Sequence, residues 1–204
     1  DDMKLIMNEN NIKPKNYQIS LIDNKDALYS NRVLILEKKI NKECFVQDIG
    51  NFEVINSINK FYRDKNLIDL CAAPGGKSIL LQSVGFNVLA IDKSQNQINK
   101  FKENLNRLNI KINIQKLDFL KKKFTDKFNS ILLNAPCSAL GTFRRNPDVT
   151  VKIDPSQIKK HQKIQIQMLE KSLKMLNNGG FVVYIVCSFH PFETIDVIDK
   201  IIQK

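Results

Sequence analysis

The segment Asp69-Leu-Cys-Ala-Ala-Pro-Gly-Gly-Lys77 sets two adjacent glycines and a lysine directly after an apolar run and before a helical one. At such a junction, backbone N–H groups and the positive end of the helix dipole favour an anionic group. The spacing is neither G-x-G-x-x-G nor G-x-x-x-x-G-K-[ST], which excludes a dinucleotide loop and a P-loop. Cys71 and Ala72 hold the approach positions, and Gly75 and Gly76 give close backbone access. The loop of Cys71, Ala72, Ala73, Pro74, Gly75, Gly76 and Lys77 therefore suits a ligand with a carboxylate and no pyrophosphate, and S-adenosylmethionine is such a ligand. Asp92, ending the next apolar run, can accept hydrogen bonds from both ribose hydroxyls, as the acidic residue does in dinucleotide folds. Asp118, ending a third, can meet an adenine amino group. Singly, each Asp reads equally well as a helix cap or a solvated loop end; three strand ends in register favour a cofactor site.

The four cysteines, Cys44, Cys71, Cys137 and Cys187, form no C-x-x-C pair, and His161 and His190 are the only imidazoles, so no metal is expected. In a reducing compartment each thiol defaults to a small buried hydrophobe. Lys and Arg number 32 against 21 Asp and Glu, a net charge of +11 that favours a nucleic-acid partner. That signal is diluted, because Lys, Asn and Ile are frequent throughout, and the run Lys121, Lys122, Lys123 and Lys127 reads as a solvated face. With 43% hydrophobic and 26% charged residues, the composition excludes a disordered or fibrous chain. No window approaches 18 apolar residues and residues 1–20 are too polar for a signal peptide, so a cytoplasmic protein without a membrane span is expected.

Positioning these residues calls for alternating strands and helices. Asn66 to Leu70 reads as a strand, and Ser78 to Val84 as a helix closed by Gly85 at its C′ position. Asn87 to Ile91 is a second strand. Gln95 to Leu108 carries Ile98, Phe101, Leu105 and Leu108 at helical spacing. Ile110 to Leu117 and Ser130 to Leu133 are further strands, Pro155 to Leu176 is a long helix capped by Asp154, and Phe181 to Val186 is a buried strand. Phe192 to Ile202 is a last helix. The pattern predicts an α/β, Rossmann-like fold with a mostly parallel sheet covered on both faces and ligands at the carboxyl ends of its strands. Residues 1–46 break the pattern: Tyr17 to Ile22, Val33 to Leu36 and Cys44 to Val46 suggest a few antiparallel strands after a polar helix. We expect a partial α+β appendage over 1–46 and the main domain over 47–204.

Asp69 to Lys77, Asn134-Ala-Pro-Cys-Ser-Ala-Leu-Gly-Thr-Phe-Arg-Arg-Asn-Pro-Asp148 and Tyr184-Ile-Val-Cys-Ser188 resemble, in order and spacing, three signature motifs of the Sun/Fmu (RsmB-like) family of RNA cytosine-C5 methyltransferases. Phe45-Val-Gln-Asp-Ile49 resembles the segment entering that family's catalytic domain. The resemblance covers roughly residues 44 to 200. It implies a class I methyltransferase domain, S-adenosylmethionine as cofactor and an RNA substrate, ribosomal sooner than transfer RNA; a monomer is expected.

The implied chemistry needs a thiolate, because C5 of cytosine is only weakly nucleophilic. Addition of sulfur at C6 makes C5 enamine-like, so it can attack a sulfonium methyl. Release then requires loss of the C5 proton and expulsion of the thiolate. Chemistry alone does not choose between Cys137 and Cys187; the resemblance assigns Cys187 as nucleophile and Cys137 as the residue assisting release. It also places Asn134 beside cofactor and base. Lys77, directly after the glycines, reads either as a cation near the cytosine that lowers a thiolate pKa or as an exposed helix lysine. Arg144 and Arg145 could hold the RNA backbone beside a flipped base, or cap carbonyls of an irregular loop. Three positions depart from the family: Asn134 stands for Asp, which keeps an acceptor but loses the charge and any proton transfer; Val186 stands for Thr; Thr194 stands for Asn. The chain stops at Lys204 after one helix, where family members continue into a final strand pair, so the domain is expected to lack that pair. The alternative reading is an RNA-binding protein that retains the fold with weakened or lost catalysis. A kinship of Asn134-Ala-Pro-Cys137 with the N-P-P-[FY] loop of amino methyltransferases is opposed by Cys187, since nitrogen methylation needs no covalent thiol.

Overall fold

The computed structural model describes residues 19–21, 27–30, 45–48, 51, 54, 55, 58, 64–143 and 146–203. Five strands, β4 (Asn66–Leu70), β5 (Asn87–Asp92), β6 (Asn113–Lys116), β7 (Phe128–Asn134) and β8 (Leu176–Ile185), form one parallel sheet in the order β6-β5-β4-β7-β8. Alternation along the strands sorts their side chains between two faces. Leu67, Val88, Ala90 and Leu132 pack on one face with Leu80 of α1 (Gly76–Ser83) and Phe101 of α2 (Gln95–Leu108). Ile68, Leu70, Ile91, Ile131 and Leu133 fill the other, where α4 (Pro155–Lys174) contributes Met168 and Leu169 and α5 (Ile195–Ile202) contributes Val197. Such wholly buried leucines cost about 2–5 kcal/mol each to truncate to alanine.

The chain lays β5 and β6 to one side of β4, then returns to lay β7 and β8 on the other. Strand order therefore reverses at β4, and the crevice beyond the carboxyl ends of β4 and β7 is where such sheets take ligands.

Local chemistry explains the element ends. After α1, Gly85 at φ +91 sits at C′, its N–H reaching Gln82 O while the Phe86 N–H reaches Leu81 O, both ladder bonds of a Schellman cap. The Asp154 carboxylate accepts the Ser156 N–H at 2.8 Å and opens α4. Ile110 does not begin a strand as expected, because its N–H closes α2 on Leu105 O after Asn109 turns left-handed at φ 52; β6 starts at Asn113. α4 ends at Lys174, short of Leu176, which already pairs with Phe128. Gly179 at φ +77 then takes up a register shift before Phe181 resumes pairing with Ser130. The last helix is split: Pro191–Glu193 forms a 3-10 turn, and Thr194 at φ −119, ψ −100 leaves helical space before α5.

In the N-terminal part, β1 (Ile19–Leu21) runs antiparallel to β2 (Ala27–Ser30), but β3 (Phe45–Asp48) lies parallel to β2. This corrects the all-antiparallel expectation. Fourteen positions separate Ser30 from Phe45, more than the dozen or so that parallel pairing needs. The expected N-terminal polar helix, the strand over Val33 to Leu36, and Cys44 lie outside the described residues.

Candidate active site

The loop after β4 turns at Cys71, whose φ of 62 sends the chain toward β5. There the Ala72 N–H donates to Ile91 O at 2.9 Å and the Ala73 N–H to Asp92 Oδ2 at 3.1 Å. The other oxygen of Asp92 accepts the Ser94 N–H at 2.8 Å. One carboxylate thus ties the first loop to the entry of α2. Gly75, at φ +103, lies so close to α2 that a Cβ there would stand 2.1 Å from Phe101 Cδ2. The packing of α2 by itself demands this glycine. Behind the loop, Asp69 is 1% exposed and accepts the Ser78 hydroxyl at 2.5 Å. Burial pushes its carboxyl up to about 7, against the lowering effects of Ser78 and Lys77. Burial, reinforced by the charges of Asp92 and Asp69, pushes the Cys71 thiol up to about 12.

A cavity of about 570 Å³ opens at the carboxyl ends of the strands. Cys71, Ala73, Asp92 and Asp118 form its wall on the β4–β5–β6 side, and Asn134, Cys137 and Cys187 on the β7–β8 side. Ala72, Pro74, Gly75, Gly76 and Lys77 do not line it; Lys77 is buried on the first turn of α1, close enough to Asp69 to act on its charge. Arg144 and Arg145 lie outside the described residues. Asp118 accepts the Leu120 N–H at 3.1 Å and is paired weakly with Lys121 at 4.0 Å.

The two thiols meet because the loops after β7 and β8 are laced together. The Ala135 N–H donates to Ile185 O at 3.0 Å, and the Gly141 N–H to Cys187 O at 3.0 Å. A Cβ on Gly141 would lie 3.3 Å from the Cys187 carbonyl carbon, so a glycine permits this approach. The backbone N–H groups of Ala139 and Cys187 are directed at the Cys137 sulfur. Burial raises the Cys137 thiol above its ordinary value, partly offset by those donors.

Sequence reasoning missed two polar groups at this end. Glu193, wholly inaccessible, accepts the Ser138 N–H at 2.8 Å, the Ser138 hydroxyl, and Gln165 Nε2 at 3.4 Å. Burial alone would raise its carboxyl, but hydrogen bonds from Ser138 and Ser188 and the neighbouring His161 bring it below the usual value. His161 Nδ1 lies 3.3 Å from Glu193 Oε1, and the ring lines the cavity with Cys137 and Cys187. The available signal was a carboxylate six residues after Cys187 and a rare histidine in a lysine-rich helix. A second cavity of about 430 Å³ shares Cys137, Ala139, Thr142 and His161 and extends to Asn146 and Lys152. Among the described residues no three His, Cys, Asp or Glu side chains could hold a metal, and no helix is long and apolar enough to cross a membrane.

Residues 58–204 match the family model described as 16S rRNA methyltransferase RsmB/F. The probable ribosomal RNA small subunit methyltransferase B of Coxiella burnetii is 31% identical over 172 residues, 78% of this chain and 39% of that protein. The crystal structure of NSun6 from Pyrococcus horikoshii with SFG, an S-adenosylmethionine analogue, superposes with a TM-score of 0.65 at 29% identity, covering 74% of this chain and 40% of that one. A methyltransferase homolog protein from Pyrococcus horikoshii shares the fold at a TM-score of 0.70 and 23% identity, over 100% of this chain and 66% of that one. The chain spans between about a third and two-fifths of the length of the curated relatives it matches first.

Proposed function

The chain belongs to the RsmB/F family of 16S rRNA methyltransferases, and from that premise we propose that it methylates C5 of a cytosine in ribosomal RNA through a transient bond to cysteine. The donor set fits S-adenosylmethionine. Each oxygen of Asp92 accepts one backbone N–H and keeps a lone pair for a ribose hydroxyl. Asp118, two strands from β4, retains acceptor capacity for an amino group. The cofactor supplies an electrophilic methyl; the remaining work falls to side chains. Cys187 Sγ adds to C6 of the base, C5 takes the methyl, and loss of the C5 proton with departure of sulfur regenerates the aromatic ring, with Cys137 assisting release. Asn134, ending β7 at the same cavity, can hold a base edge through its carboxamide but cannot take a proton.

The observation that carries this reading is the meeting of Cys137 and Cys187 in one cavity wall opposite Asp92 and Asp118. The test is incubation of the chain with methyl-labelled S-adenosylmethionine and unmodified small-subunit RNA, followed by nucleoside analysis. Label in 5-methylcytosine is expected; label in an exocyclic N-methylcytosine would overturn the covalent chemistry. Asn134 in place of a carboxylate favours a second reading, an RNA-binding protein with weakened catalysis, for which RNA would be bound and remain unlabelled.

A further inference from the structure

Once the methyl is on C5, something must accept the C5 proton, and the cavity offers few candidates. Asn134 has no basic site. Cys187 is at that stage bonded to C6, and the Cys137 sulfur already faces the backbone N–H groups of Ala139 and Cys187, which leaves it ill placed to keep a proton. Cys71, Asp92, Lys93 and Asp118 belong to the opposite wall, and Glu193 is inaccessible. His161 remains. It stands on α4, in the wall that also carries Cys137 and Cys187. Its Nδ1 is buried 3.3 Å from Glu193 Oε1, within ion-pair reach but outside hydrogen-bond geometry, while the side chain as a whole is 26% exposed, so the accessible part of the ring lies away from Nδ1. Glu193 is itself fixed by Ser138, the residue after Cys137. A carboxylate this close favours a proton on Nδ1, and a small turn of the ring would complete that hydrogen bond and leave the Nε2 lone pair free.

Resting on the methyltransferase reading above, we infer that His161 is the final proton acceptor of the release step that Cys137 assists, with Glu193 as its positioning residue. Nε2 takes the C5 hydrogen as a proton; the C5–H electron pair forms the C5=C6 double bond; the C6–S bond breaks and its pair leaves with Cys187 Sγ as thiolate. The imidazolium so formed is stabilised by the Glu193 carboxylate. Its proton can leave through the second cavity, which His161 also borders and which reaches the exposed Asn146 and Lys152. Glu193 is the titratable group in contact with His161; Cys137 and Cys187 share the first cavity wall with it, and Asp148, Lys152 and Asp154 line the second cavity.

The experiment uses RNA tritiated at cytosine C5 and reads methyl incorporation, tritium release and protein–RNA adduct separately in one turnover. In the wild-type chain, methyl incorporation and tritium release should match. His161→Gln should still incorporate methyl, while tritium release slows about 100-fold or more and adduct persists. His161→Ala should behave alike and regain release when imidazole is added, which an unfolded chain cannot do. Melting temperature and cofactor affinity close to wild type identify the folded variants. Release at the wild-type rate in either variant overturns the assignment, as does loss of methyl incorporation or absence of imidazole rescue in a folded one. Absence of tritium release from the wild-type chain would instead overturn the covalent reading on which the assignment rests.

Discussion

Asp92 holds Ala73 at 3.1 Å and Ser94 at 2.8 Å, so its charge both fixes the cofactor loop and waits at the cavity for hydroxyl donors. Asp92→Ala should therefore weaken S-adenosylmethionine binding by about 1–3 kcal/mol, roughly 5- to 150-fold in Kd, as measured by calorimetry. Unchanged affinity would remove this carboxylate from the site. Residues whose chemistry follows from their own type were legible in the sequence: two acids at strand ends, and two thiols after strands. Gly75 was legible as special, but its contact with α2 was not, because a ligand and a neighbouring helix make the same demand on a glycine, and the Phe101 ring is 26 positions away in the chain. Glu193 and His161 were missed for a related reason. Each becomes informative only when α4 and the turn after β8 bring them within 3.3 Å, and an isolated histidine on a polar helix carries no sign of that.

At the scale of elements, the contact between the Gly75 turn and α2 carries the most specific expectation. An added methyl meets both a left-handed backbone at φ +103 and the buried Phe101 ring. Gly75→Ala should lower stability by about 2–4 kcal/mol, adding the backbone cost to overpacking. The denaturant midpoint checks this, and a midpoint equal to wild type would mean that α2 yields freely. The order of elements was readable because apolar runs of strand length alternate with helical spacing, and because Gly85, Asp154 and Asn66 to Leu70 are local signals. What was not readable depends on longer range. Thr194 breaks the final helix where the neighbouring Glu193 is drawn inward to Ser138, 55 residues back. β3 joins β2 in parallel through a connection whose pairing no local pattern announces.

For the whole molecule, the proposed RNA substrate together with the net charge of +11 makes phosphate contacts the expected main source of affinity. Log affinity should fall linearly with log salt, with a slope near −0.7 per contact for a single strand. A salt-independent affinity would contradict an RNA partner held by its backbone.

If two thiols in one cavity divide the work of a covalent methyl transfer, as proposed, two variants must behave asymmetrically. The deciding measurement is a denaturing gel of the chain incubated with S-adenosylmethionine and labelled small-subunit RNA. Cys137→Ala should accumulate a protein–RNA complex that survives denaturation, because the bond from Cys187 to C6 forms but is not broken. Cys187→Ala should show neither complex nor methylated RNA. If Asn134 slows methyl transfer until little adduct forms, the same pair is compared in an Asn134→Asp background. Identical behaviour of the two variants there, both inactive without adduct or both active, would contradict the division of labour.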